Sequence, residues 1–121
     1  MVAALLLTML LSLLLHLLLG WQWTILAALP IGFFRPRRAW IIGAAGVALG
    51  WSILIGYSLV VAARPTLRML QFVGSLFGNL PAPAVVAVTA LVGGILGLLG
   101  AWIGRSAADL RERWARTAAP P

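Results

Sequence analysis

Very few side chains in this 121-residue chain could carry out chemistry. It has no Cys and no Lys, and its single histidine, His16, lies inside a run of leucines. A histidine there could ligate a haem iron or the magnesium of a chlorophyll-type pigment, with Ser12 and Gly20 leaving room for a flat macrocycle. The alternative is a neutral imidazole that hydrogen-bonds to Ser12, Thr8 or a neighbouring helix. We favour the neutral imidazole, because one spacing cue is a weak indication of ligation. We therefore expect no metal site and no cofactor.

The two carboxylates of the chain, Asp109 and Glu112, lie near its C-terminal end among arginines. Each has arginine neighbours at helical spacing, and the pairs are Arg105–Asp109, Asp109–Arg113 and Glu112–Arg116. This spacing predicts a charged, solvated helix face rather than a general acid or base. Serines and threonines in the apolar runs have no nearby base to activate them. The sequence therefore predicts a protein that is not an enzyme.

The composition indicates the surroundings in which these residues lie. Hydrophobic residues make up 63% of the chain and charged residues 9%, against about 25% charged in water-soluble domains. The charges are clustered between long uncharged runs, which predicts a single-domain, all-α, polytopic integral membrane protein over residues 1–121. The formal charge of +7 comes from arginines at the ends of apolar runs. That placement favours anionic lipid headgroups as partners and argues against nucleic acid.

Three of these arginines, Arg35, Arg37 and Arg38, cluster between two uncharged stretches. A hydrocarbon layer cannot accept such a cluster, so we expect it at the headgroups on the cytoplasmic side, as we do Arg105. The same orientation leaves only Arg64 and Arg68 outside. It places seven arginines inside: Arg35, Arg37, Arg38, Arg105, Arg111, Arg113 and Arg116. Both termini are then cytoplasmic, in what we expect to be a bacterial inner membrane.

The first apolar stretch, residues 2–34, can be divided in two ways. One helix of that length would measure about 50 Å, against about 30 Å of hydrocarbon, so it would have to tilt strongly. The alternative is a hairpin of two short helices, 2–19 and 23–34, broken at Gly20-Trp21-Gln22-Trp23. We prefer the hairpin, with Pro30 kinking its second helix.

Three further segments follow. Residues 39–63 predict a membrane span that Arg64-Pro65 ends. Residues 66–80 carry apolar side chains along one helical face, which predicts an amphipathic helix in the interface. Residues 84–116 predict a last span that continues as a helix into water, and residues 117–121 a frayed tail.

Three of the predicted helices carry rows of small residues. The row on 39–63 is Gly43, Gly46 and Gly50; that on the last span is Thr89, Gly93, Gly97 and Ala101; that on the first is Ala4, Thr8, Ser12, His16 and Gly20. Small residues let helix backbones approach closely in lipid. The rows could pack against each other inside one bundle, which we favour, or one of them could face another subunit.

From Leu29 to Gly104 the chain resembles a group of small uncharacterised bacterial multi-pass membrane proteins. The resemblance is carried by Leu29-Pro30 before a basic turn, by Ala39-Trp40-Ile41-Ile42-Gly43 with Trp51, and by Thr89-Ala90-Leu91-Val92-Gly93-Gly94. It implies four membrane helices and no particular activity.

The role that we expect is a non-catalytic accessory or scaffold subunit that packs through small-residue helix faces. Its partners would be membrane lipid and a larger membrane complex or further copies of itself. The alternative is a small transporter or channel component, and the third possibility is a haem- or pigment-binding subunit that uses His16.

Overall fold

A computed structural model describes residues 1–34 and 37–117 of the chain. All regular structure in these two ranges is helical, as the sequence predicts. The elements in chain order are α1 (Val2–Leu19), a 3-10 helix η1 (Trp21–Ala28), α2 (Leu29–Phe34), α3 (Ala39–Val61), α4 (Ala63–Leu76) and α5 (Ala82–Thr117). Arg35, one of the predicted headgroup arginines, and most of the predicted frayed tail lie outside the described residues.

Three of the described helices, α1, α3 and α5, are long and apolar enough to cross a membrane. The distribution of side-chain size agrees with apolar surroundings. Small residues fill the interior, where Ala28 is 0% exposed, whereas large aliphatic side chains such as Leu17, at 71%, face outward. An outer surface of this kind is stable where lipid replaces water.

The chain reverses direction after α1 because of the backbone at Gly20. This residue has φ +101° and ψ 171°, a region that is open essentially to glycine alone. Its N–H donates to the His16 carbonyl at 3.2 Å, which closes the last turn of α1. The following segment then packs back against α1.

The second segment is not the single kinked α-helix over 23–34 that the sequence predicts. It begins at Trp21 as the 3-10 helix η1 and becomes α-helical at Leu29. Pro30 is the second residue of α2, directly after the change from 3-10 to α-helix. A 3-10 helix rises about 2.0 Å per residue and an α-helix about 1.5 Å, so η1 and α2 together extend about 25 Å. Because the 3-10 helix has the larger rise per residue, the length of this short segment approaches the thickness of the hydrocarbon layer.

The boundary between α3 and α4 also differs from the prediction. Arg64-Pro65 does not end the span: α3 stops at Val61, and Ala62, with φ −138° and ψ 54°, breaks the helix. Pro65 instead lies in the first turn of α4, which tolerates proline. Helix α4 therefore covers Ala63–Leu76 rather than 66–80. It ends early because the chain turns at Gly78 and Asn79, which both have positive φ.

Helix α5 is continuous over 36 residues, about 54 Å, and so is longer than the hydrocarbon layer is thick. It starts two residues before the predicted 84–116 and includes Thr117. Of the three predicted ion pairs, only Glu112–Arg116, at 3.7 Å, forms within the described residues. Exposed pairs gain little in water, so the other side chains are free to adopt other positions. Arg111, which belongs to none of these pairs, lies over the Phe33 ring at 5.8 Å.

Helices α3 and α5 form the most extensive contact of the bundle. Helix α3 also packs against α1, and η1–α2 packs against α1, α3 and α5. Helix α4 contacts α3 and α5. The buried apolar core is built from Ala4, Ala27, Ala28, Ile31, Ala39, Ile42, Val47, Trp51 and Ala101.

Candidate functional site

Helices α3 and α5 are in close backbone contact at Gly43 and Gly97. A Cβ added to either glycine would collide with the backbone carbonyl oxygen of the other. Ala101 lies at the same level, since the Cβ of Gly43 would also meet the Ala101 Cβ at 2.9 Å. Three of the small residues singled out in the sequence are therefore in direct contact inside the chain.

The contact between α1 and α3 pairs small residues in register. A Cβ on Gly46 would lie 2.8 Å from the Thr8 Cβ, and one on Gly50 would lie 3.2 Å from the Ser12 Oγ. The Thr8 hydroxyl is buried and donates to the Ala4 carbonyl at 2.9 Å, so it needs no partner on another helix.

The row of small residues on α5 lies in two different environments. Gly93 faces the Trp51 ring, which a Cβ would meet at 3.1 Å. Thr89, one turn earlier, is only partly buried and donates its hydroxyl to the Val85 carbonyl at 2.8 Å. Thr89 therefore does not take part in the glycine contacts that Gly97 makes.

A fourth row of small residues, which is not among the predicted rows, lies on η1–α2. Thr24, Ala28 and Gly32 are all buried, and a Cβ on Gly32 would collide with the Ala101 carbonyl. On the opposing helix, Gly100 and Gly104 meet the carbonyls of residues 25 and 29 in the same way. The spacing of Thr24, Ala28 and Gly32, four residues apart, is the signal that would have identified the row.

A shallow apolar depression lies on the outside of α3 and α5, and we call it the alanine groove. It measures about 560 Å³ and is lined mainly by Ala44, Ala45, Ala48, Ala87, Ala90 and Gly94. A Cβ on Gly94 would lie 3.7 Å from the Ala44 carbonyl oxygen and 3.8 Å from the Ala48 Cβ, an ordinary van der Waals contact. Packing within the chain therefore does not require glycine at position 94.

A larger groove of about 790 Å³ lies where α1 ends, between α3, α4 and α5, and we call it the α4 groove. Its walls are mostly apolar and include Trp51, Leu54, Ile55, Pro65, Met69 and Val92. It is open along one side. Among the polar residues on its walls are His16, Ser58, Thr66 and Thr89.

His16 contacts the Trp51 ring edge-to-face, with the ring centroids 5.7 Å apart. The hydrogen bond that we predicted for the imidazole is not present, since neither His16 Nδ1 nor Ser12 Oγ has a partner. The reason lies in the packing, because Ser12 is buried against Gly50 and the Thr8 hydroxyl is already bonded within α1. Within the described residues no three His, Cys, Asp or Glu side chains come close enough to hold a metal ion.

The described arginines separate to the two ends of the bundle. Arg37 and Arg38 are exposed where α3 begins, and Arg38 Nη1 lies 3.7 Å from the Met1 sulfur. Arg105 is exposed near the same end, lining a pocket with Ala39. The arginines of α4 lie beyond the opposite end of α3. The structure therefore gathers the predicted headgroup arginines that it describes at one end.

Comparison of the chain with protein-family models, curated proteins and solved structures gave no match. Its function has to be inferred from its own residues and their geometry.

Proposed function

We propose that the chain is an integral membrane protein with four membrane-embedded segments, namely α1, η1–α2, α3 and α5. The length of η1–α2, about 25 Å, supports its placement as a short embedded segment packed against α1 and α5. Helix α4 would lie in the interface, since its exposed apolar side chains Met69, Phe72 and Leu76 contrast with its arginines.

The arginine distribution supports one orientation of this bundle, in a bacterial inner membrane. The end at which Arg37, Arg38 and Arg105 lie would face the cytoplasm and its anionic headgroups, together with both termini. Helix α4 would then lie on the outer side. The C-terminal part of α5, with Asp109 and Glu112, would extend into the cytoplasm.

Within the membrane, we propose a non-catalytic role as an accessory or scaffold subunit whose alanine groove receives an apolar transmembrane helix of a partner protein. The observation that carries this proposal is Gly94. Packing inside the chain forces Gly43 and Gly97 to be glycine, but it does not force Gly94 to be one. Small residues on an outward face at this depth permit a second helix to approach closely, and close packing drives helix association in lipid.

The distribution of reactive side chains supports the non-catalytic part of the proposal. Asp109 and Glu112 are exposed at one end of α5, whereas His16 lies beside Trp51 in the α4 groove. These groups are too far apart along the bundle to act together on one substrate.

Native mass spectrometry after extraction in a mild detergent tests the subunit role. The wild-type chain should appear in a heteromeric complex, and Gly94→Leu should release it because a leucine fills the alanine groove. Gly56→Leu is the matched control, since Gly56 is also on a membrane helix and a Cβ there meets no atom within 4 Å. That variant should leave the complex intact.

Two results would contradict the subunit role. One is a wild-type mass equal to a single chain or to a whole multiple of it, which would identify a monomer or a self-assembly. The other is equal retention of the complex by Gly94→Leu and Gly56→Leu, which would place any partner on a different face.

A second candidate, a haem- or pigment-binding subunit, is favoured by the position of His16 on the wall of the α4 groove. Its test is the absorption spectrum of the protein purified from its native membrane. A Soret or far-red band that His16→Ala removes would support it, and a spectrum of tryptophan and tyrosine alone would argue against it.

A further inference from the structure

We infer that the α4 groove binds one acyl chain of an anionic phospholipid, with the lipid phosphate held by Arg64 and Arg68. The inference rests on the membrane placement proposed above and not on the partner helix at the alanine groove. It assigns a class of ligand to the α4 groove. The proposed subunit role involves the alanine groove and gives the α4 groove no ligand.

The depth of the groove matches one leaflet of a bilayer. Its lining on α3 runs from Trp51 to Val61, and the ten helical rises between these residues span about 15 Å. The hydrocarbon layer is about 30 Å thick, so one leaflet contributes about half of it. An acyl chain that enters beside α4 would therefore extend down to the level of Trp51.

The shape and walls of the groove also suit an acyl chain. Its volume of about 790 Å³ falls within the range of ligand-binding pockets, and leucine, isoleucine, valine and methionine side chains form much of its surface. The edge-to-face pair of His16 and Trp51 lines the end of the groove farthest along α3 from Val61. Since one side is open, a lipid in the surrounding leaflet can enter without a rearrangement of the helices.

The charge at the mouth of the groove indicates what kind of headgroup it takes. Arg64 and Arg68 are exposed, lie one turn apart on α4, and line a cleft together with Pro65 and Met69. Pro65 and Met69 also line the α4 groove, so the cleft and the groove adjoin at these two residues.

Within the described residues, neither guanidinium group forms an ion pair. The chain has only two acidic residues, and both lie on the far end of α5. A phosphate fits this arrangement, because arginine binds phosphate oxygens through paired, charge-assisted hydrogen bonds. An anionic phospholipid would occupy the cleft and the groove together.

Native mass spectrometry of the purified full-length protein, titrated with dioleoyl phosphatidylglycerol or dioleoyl phosphatidylcholine, tests the inference. We expect one bound phosphatidylglycerol, held about tenfold more tightly than phosphatidylcholine. Arg64→Gln/Arg68→Gln should reduce phosphatidylglycerol binding to the phosphatidylcholine level. Arg111→Gln/Arg113→Gln removes the same charge from the other end of the molecule and should keep the preference.

A second pair of variants tests the groove itself. Ser58→Phe places a ring inside the α4 groove and should remove binding of both lipids, whereas Gly56→Phe, which points into open space, should not. Ser58→Leu is the milder replacement if Ser58→Phe is not monodisperse with a native circular dichroism spectrum.

The inference would be overturned by equal affinity for the two lipids, or by unchanged phosphatidylglycerol preference in Arg64→Gln/Arg68→Gln. It would also be overturned if a folded groove-filling variant still bound lipid, or if the groove held an absorbing macrocycle. Because the titration uses the isolated chain, failure of the partner-helix proposal would not affect its outcome.

Discussion

The two halves of the bundle differ in how closely their helices pack. In the half that contains the start of α3, which we call the closed half, helices touch through backbone, and the buried residues of α3 all lie between Ala39 and Trp51. In the other half, the open half, no residue of α3 from Ser52 to Val61 is buried, and the α4 groove separates the elements. The same three long helices therefore form a packed core at one end and a cleft at the other.

Side-chain size explains the difference. Gly43 and Gly97 allow α3 and α5 to approach until carbonyl oxygens fill the space of a missing side chain. Beyond Trp51 the corresponding face of α3 carries the larger side chains of Leu54 and Ile55, which line the α4 groove. Close packing is the main source of helix association in lipid, so stability should be concentrated in the closed half.

The largest expected effect is a substitution in the glycine contact of the closed half. Gly97→Val should destabilise the protein by about 3 kcal/mol or more, because the new side chain collides with the Gly43 carbonyl, which cannot move without shifting α3. Unfolding followed by circular dichroism in mixed detergent micelles measures this. Gly56→Val, a valine in open space, is the control, and equal losses in the two variants would contradict the proposed contrast.

A smaller effect is expected at the turn that joins α1 to η1. Gly20→Ala should cost about 1–3 kcal/mol, since φ +101° with ψ 171° is strained for any residue with a side chain. The same assay applies, with Gly56→Ala expected to be neutral or slightly stabilising. A neutral Gly20→Ala would mean that the α1 hairpin turns elsewhere.

The open half should tolerate added volume. Ser58→Leu should change the free energy of unfolding by less than about 1 kcal/mol, because the new side chain enters the α4 groove. Val47→Phe, in the closed half, should cost about 1–3 kcal/mol, since Val47 is fully buried. A larger loss from Ser58→Leu than from Val47→Phe would reverse the comparison.

The smallest expected effect lies outside both halves, on the C-terminal part of α5. Glu112→Gln removes the exposed ion pair with Arg116 and should cost less than about 0.5 kcal/mol. Thermal unfolding at low and high salt measures it, and a cost above 1 kcal/mol would show that this region is packed rather than solvated.

The sequence predicted more of the closed half than of the open half. Rows of small residues mark the faces that touch, as at Gly46 and Thr8, because the requirement for a small side chain is a local property. The row of small residues on η1–α2 has the same spacing, but it contains only three residues and lies in a short segment, so its pattern is a weak signal. The break at Gly20 was likewise readable, since glycine followed by Trp-Gln-Trp suits an interface turn.

Features that depend on contacts between helices could not be predicted from the spacing of residues in the sequence. An apolar run such as Trp21–Ala28 gives no indication of whether it forms 3-10 or α-helix, and here the Thr24 hydroxyl bonds to the Trp21 carbonyl at 2.6 Å. The start of α4 was misplaced because Arg64-Pro65 suits both the end of one helix and the first turn of the next. The α4 groove is a gap between four elements and has no sequence signature.

Cysteine labelling tests the proposed orientation of the two halves, because the chain has no cysteine of its own. Arg37→Cys marks the closed end, and Gln71→Cys, on exposed α4, marks the open end. With a membrane-impermeant maleimide on intact cells, Gln71→Cys should be labelled and Arg37→Cys only after permeabilisation. Labelling of Arg37→Cys in intact cells would contradict the proposed placement of the closed half at the cytoplasmic side.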